Sequence, residues 1–229
     1  MKLLALDAST EALSVAVVHT ARDYDIEHFE IAPQAHARRL LPLAQELLER
    51  AELELADLDG FAFARGPGAF TGLRIAAGLI QGLAAGVDRP VVPVSTLAAL
   101  AARCLHNDEQ VDRIRVVQDA RMGEIYTADY MRGDCDSPQS LGAERVIRPD
   151  MLEADEANAY TRAGNGWGVV AAARGLAPEA LAPAEHWPHA LDIARLAIPV
   201  LRNGEGLPAS QALPVYVRDD VARKPGGSR

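Results

Sequence analysis

The chain has 229 residues, enough for one large domain or two small lobes, and 49% of them are apolar against 5% aromatic, so the core has to be built from Leu, Ala, Val and Ile. A formal net charge of -9 argues against a protein that grips RNA on its own, because neutralised phosphates supply much of that affinity. Two cysteines, Cys104 and Cys135, form no CxxC pair and no disulfide framework. The start lacks the apolar stretch of a signal peptide and no run approaches the roughly 20 apolar residues that span a bilayer, which points to a cytosolic protein.

In chain order, residues 2–6 read as a short apolar strand ending at Asp7. Residues 12–18 return as a second strand and residues 25–31 as a third, more alternating one. Residues 35–51 place Leu40, Leu41, Ala44, Leu47, Leu48 and Ala51 at helical spacing with charges opposite. A strand at 60–64, a glycine-rich loop at 65–69, a helix at 71–86 and a buried strand at 90–94 follow. Ser95 is a suitable N-cap for a helix carrying Leu97, Leu100 and Ala101. The second half repeats the order more faintly. It has strands at 113–118, 123–131 and 141–147, a short helical stretch at 149–154 and a strand near 160–163. A loop at 164–168 opens a helix through Val170 and Ala172, and a last helix spans 189–202, disturbed by Pro199.

Two landmarks align between the halves. Asp7-Ala8 and Asp119-Ala120 each end an apolar strand before a tight turn, nearly half the chain apart. The loops at Arg65 and Gly164 each join a strand to a helix. The order βββαβα written twice implies an α/β, duplicated ribonuclease-H-like fold, with an N-terminal lobe at 1–105 and a C-terminal lobe at 106–229. The segment after about 209 is expected to pack back on the first lobe.

In such a fold the two Asp-bearing hairpins flank a cleft that can hold nucleotide phosphates. Asp7, Ser9, Thr10 and Asp119 are therefore candidate cleft residues, with Gly164 and Gly166 as the hint of an adenosine loop. The alternative is that Asp7 and Asp119 cap turns, a common task for Asp. The loop Arg65, Gly66, Pro67, Gly68, Ala69, Phe70, Thr71, Gly72 frees the backbone at fixed points and feeds a helix start that could hold an anion. No Lys follows its glycines as a P-loop requires. In the helix after it, Gly78, Gly82 and Gly86 share a face. Three helical glycines cost about 1 kcal/mol each relative to alanine, so close approach of another backbone is expected, from helix 35–51 or from another subunit. The six His include no HExxH or HxxxH pair and suggest no metal site.

Residues 65–75, RGPGAFTGLRI, are very similar to the RGPGSFTGLRIG signature of the TsaB (YeaZ-like) family. Supporting matches include Leu4 to Thr10, His36 with Leu40-Leu41-Pro42, residues 94–101, residues 119–126, Gly164-Asn165-Gly166-Trp167 and residues 214–218. Ala69 stands where the family has Ser and Ala76 where it has Gly; the first removes a hydroxyl from the loop. The resemblance implies a degenerate, non-catalytic sister of TsaD, the subunit that transfers threonylcarbamoyl to adenosine 37 of tRNAs reading A-starting codons. It implies a scaffold that pairs with the TsaD-like catalytic subunit and a TsaE-like ATPase subunit, homodimerises in isolation and meets tRNA only indirectly. The contact it implies lies on the two helices of the first lobe, through Leu40, Leu43, Leu47, Arg74, Ile75, Gly78, Gly82 and Ala85. No cofactor is expected, and the rival reading is a kinase or ATPase with weak ATP or ADP binding in the cleft.

Overall fold

The computed structural model describes residues 1–22, 24–155 and 159–217. The segment from 218 onward, including the Arg223–229 tail expected to be a flexible terminus, lies outside the described residues. Strands β1 (Lys2–Asp7), β2 (Ala12–His19) and β3 (Tyr24–Ile31) form an antiparallel meander. Helix α1 (His36–Arg50) leads to β4 (Gly60–Gly66), which lies parallel to β1, and α2 (Phe70–Val87) leads to β5 (Val91–Ser95), parallel to β4. The order β3-β2-β1-β4-β5 places β1 at the centre. Both of its faces are covered, which is why it reads as an unbroken apolar run rather than an alternating one.

Helix α3 (Thr96–Asn107) joins the lobes. Ser95 caps it as expected, its hydroxyl accepting from the Ala98 amide at 3.2 Å. The second sheet contains β6 (Arg113–Arg121), β7 (Glu124–Arg132), β8 (Pro138–Ser140), β9 (Arg145–Ile147) and β10 (Thr161–Ala163). Its order, β10-β6-β7-β8 with β9 also on β7, repeats the first four positions of the other sheet. The single strand expected at 141–147 is two short strands, pairing opposite ends of β7. A turn interrupts them, with the Gly142 amide donating to Ser140 Oγ at 3.3 Å, and it frees Glu144 to leave the sheet. Residues 149–154 supply only a 3-10 turn, Pro149–Met151.

Helices α4 (Trp167–Ala173) and α5 (Ala190–Arg202) complete the fold. Helices α1 and α2 cover one face of the first sheet, packing Leu40, Leu47, Ala76 and Ile80 on Leu4, Leu6, Phe61 and Phe63. The other face is covered by α5, through Ala190, Ile193, Ala194 and Ala197 on Leu3, Ala5, Ala62 and Val92. The chain therefore returns to the first lobe at 190, earlier than the 209 expected from sequence. Pro199 lies inside α5 without ending it. The second sheet is sandwiched by α3 on the Ile114 and Val116 face and by α4 on the Val117 and Ile125 face. After α5 the backbone runs back along α2, with Gln81 donating to the Ala212 carbonyl and the Val215 amide to the Arg65 carbonyl. This twofold βββαβα plan with its lobes side by side is the duplicated ribonuclease-H-like fold.

Candidate functional sites: the interlobe cleft and the outer face of α2

A cleft of about 720 Å³ opens where the β1–β2 turn, the start of α2, the β6–β7 hairpin and residues 215–217 meet. Ser9, Thr10, Asp119 and Asn165 line it, whereas Asp7 does not. Asp7 is fully buried beneath the turn. One carboxylate oxygen accepts from the Ser9 amide at 3.0 Å and the other has no partner. Burial raises its pKa to about 6, against the pull of the Ser9 hydrogen bonds. Asp119 faces the cleft but is engaged locally. It accepts from the Arg121 amide at 2.7 Å and from the Arg121 guanidinium at 3.2 Å. It thereby steadies a hairpin in which Arg121 and Met122 take φ of 61° and 55°. The turn-capping role of Asp is visible there.

The signature loop is fastened to the β1–β2 turn. A Cβ at Gly68 would stand 2.4 Å from the Ser9 carbonyl, and one at Gly72 would stand 1.9 Å from the Ala8 carbonyl. The Ala69 amide donates to the Ser9 carbonyl at 2.7 Å. Gly66, at φ 107°, would place a Cβ 2.8 Å from the Val215 carbonyl. Gly164 and Gly166 play the same part in the other lobe, since a Cβ on either would collide with the backbone of β6. Arg65 reaches across the lobes to Glu144 at 3.2 Å, and Ser95 also donates to Glu144. Glu144 sits in a polar turn that carried no signal in the sequence. Phe70 lies under the Arg74 guanidinium, 3.8 Å from ring centroid to carbon, and Arg74 donates to the Tyr216 hydroxyl at 3.0 Å. Thr71 is exposed in the first turn of α2, at the cleft edge.

Helix α2 has 18 residues of mean hydropathy 1.4, which by length and composition would cross a membrane. Instead it lies along the sheet with Leu73, Ala76, Ala77, Ile80 and Ala84 buried. The face bearing Gly78, Gly82, Ala85 and Gly86 is exposed. Among the described residues, no atom lies within 4 Å of a Cβ added at any of its three glycines. The glycine stripe therefore does not pack on α1. Leu40, Leu43 and Leu47, expected from the family resemblance at a partner contact, are core residues at 0%, 2% and 0% exposure. Most of the broad apolar stripe of α1 is absorbed by its own sheet and by α2, with Leu41 left exposed. Arg74, Ile75, Gly78, Gly82 and Ala85 remain on the accessible side or its margin. Among the described residues, no group of three His, Cys, Asp or Glu is arranged to hold a metal ion.

Two such lobes about a cleft define an α/β protein of the duplicated ribonuclease-H-like fold. A family model, TsaD: tRNA N6-adenosine threonylcarbamoyltransferase, matches residues 28–159. The tRNA threonylcarbamoyladenosine biosynthesis protein TsaB of Escherichia coli is 34% identical, over 98% of this chain and 97% of that one. The protein of the same name from Haemophilus influenzae is 35% identical, over 98% and 96%. A solved structure from Pseudomonas aeruginosa, of an uncharacterized protein with similarity to peptidase YeaZ, is 42% identical. It superposes with a TM-score of 0.82 over 95% of this chain and 99% of that one. The chain belongs to the TsaB family of tRNA threonylcarbamoyladenosine biosynthesis proteins.

Proposed function

We propose that the chain is a non-catalytic, cytoplasmic subunit of the machinery that forms threonylcarbamoyladenosine in tRNA. Its task is to bind and stabilise a TsaD-like catalytic subunit, in an assembly that also takes a TsaE-like ATPase subunit. The observation that carries this reading is the outer face of α2, an apolar helix surface on which three glycines leave room for another backbone. Small residues at a helix surface let two helices approach closely, and a contiguous bare apolar face marks an interface. In the absence of the catalytic subunit the same face serves a second copy of the chain. The tRNA is met through the partner, in keeping with the net charge of -9.

A peptidase reading has less support. The Cys104 thiol is buried, and burial pushes its pKa up to about 12, the reverse of what a nucleophilic thiol needs. As a scaffold, the isolated chain should turn over neither threonylcarbamoyl-adenylate nor peptide.

The docking face is tested with Gly82→Leu. The new side chain meets open space within the monomer, so the melting curve should be unchanged or shifted slightly upward. Co-purification with the catalytic subunit and homodimer mass on size exclusion should both be lost. Intact assembly of a folded Gly82→Leu protein would remove the α2 face from the proposal.

A further inference from the structure

We propose that the interlobe cleft binds an uncharged nucleoside and does not accept the nucleoside triphosphate that a cleft in this fold is expected to hold. Several places where phosphate would find donors are taken from within. At the start of α2, where free amides would attract an anion, the Ala69 amide donates to the Ser9 carbonyl and the Ala8 carbonyl lies against Gly72. The Asp119 amide donates to Asn165 Oδ1 at 3.0 Å, and the Arg121 amide to Asp119. The Arg121 guanidinium is held by Glu11 from one lobe and Asp119 from the other. Among the described residues, the charged side chains of the cleft wall are those two carboxylates and that one guanidinium, with His36 bonded to the Ala12 carbonyl at 3.1 Å. A polyanion entering here would meet, among the described residues, two carboxylates and one guanidinium already paired with both.

What the cleft leaves unpartnered is neutral. Gln118 lines it, is 1% exposed, and has neither its amide nitrogen nor its amide oxygen hydrogen-bonded. The Ser9 hydroxyl, also on the wall and 1% exposed, has the buried Asp7 carboxylate beside it. Buried polar groups are nearly always satisfied, so each such exception needs an explanation. A carboxamide offers a donor beside an acceptor, the complement of a nucleobase edge, and Gln pairs in this way with adenine. The residue opposite Gln118 in the β6–β7 register is Tyr126, which also lines the cleft, as do Phe70 and Tyr216. An orphaned carboxamide beside aromatic rings, in a volume within the small-ligand range, fits a planar base with a neutral sugar. This conclusion does not depend on whether α2 docks a partner.

The test is calorimetric titration of the full chain with adenosine, guanosine and ATP, each with and without magnesium. Adenosine or guanosine should bind, and ATP should bind at least tenfold more weakly. Gln118→Leu, apolar like its neighbours on that sheet face, should weaken nucleoside binding roughly tenfold, the loss of about one hydrogen bond. Should that variant not fold, Ser9→Ala should still weaken binding by a smaller factor. Glu11→Gln, which frees one side of Arg121, should improve ATP at the expense of the nucleoside preference. ATP binding as tight as adenosine, no nucleoside binding at millimolar concentration, or folded Gln118→Leu binding unchanged would each overturn the assignment.

Discussion

Asp7 is held at the centre of the molecule with one carboxylate oxygen unpartnered, and burial lifts its pKa from 3.8 to about 6. The folded state thus binds this proton more tightly than the unfolded chain. The stability it brings is complete below about pH 4 and is lost as pH rises through about 6. Asp7→Asn should therefore melt higher than the parent at pH 8, by up to about 3 kcal/mol for a shift of this size. That gain should vanish near pH 4, and parallel melting-temperature profiles from pH 4 to pH 8 would show that the carboxyl is not strained by burial. At this scale the sequence was partly legible. Both Asp residues were recognisable as strand-end landmarks, but their opposite fates were not. Asp7 is sealed by the α2 loop packing above it, while Asp119 is turned into its own hairpin by Arg121. Residues distant along the chain decide the first outcome. Gln118 carries no signal of its own, because one polar residue closing an apolar strand resembles an ordinary strand end.

The glycines of α2 and of the loop before it look alike in sequence and differ in what surrounds them. Gly72 has the Ala8 carbonyl where a Cβ would be, whereas Gly78 faces open space. Gly78→Ala should raise stability by up to about 1 kcal/mol through helix propensity alone. Gly72→Ala should cost at least about 2 kcal/mol, because the β1–β2 turn has to move. Chemical denaturation of the two single variants checks both signs; a stabilised Gly72→Ala would show that the loop is not fastened as described. The helical period was plain in the residues, as was the motif's conformational freedom. Which backbone came close was not, because β1 enters the loop's surroundings through sheet order rather than through neighbouring sequence. The same limit applies to α1. Its broad apolar stripe suggested a surface to spare, but α2 and the sheet consume most of it and leave Leu41 exposed. The split of the third strand of the second sheet was likewise hidden, because Glu144 leaves the sheet to satisfy Arg65 and Ser95 in the other lobe.

For the molecule as a whole, the duplicated order was readable from two aligned landmarks, and the observed strand orders repeat it. The ownership of the last helix was not, since an amphipathic helix does not state which sheet it will cover. Helix α5 follows the second lobe in sequence and seals the first. A fragment of residues 1–110 retains every strand of the first sheet yet leaves Leu3, Ala5, Ala62 and Val92 uncovered on one face. It should be aggregated or poorly structured by circular dichroism. A circular permutant that begins at residue 186, with 217 linked to residue 1, should remain folded. A soluble fragment 1–110 with a cooperative melt would show that α5 is dispensable.

The late arrival of α5 also has a meaning in time. During synthesis the first sheet emerges complete on the ribosome while the helix that covers its second face is still untranslated, and an entire second sheet must be made in between. Domains that fold as they emerge ordinarily carry their own cover; this one takes part of it from α5, so one face of its first sheet stays bare until almost the last of these residues is out. For that interval it is a natural client for a nascent-chain chaperone, and slowing elongation between β10 and α5 would lengthen the exposure without changing a single residue of the finished protein.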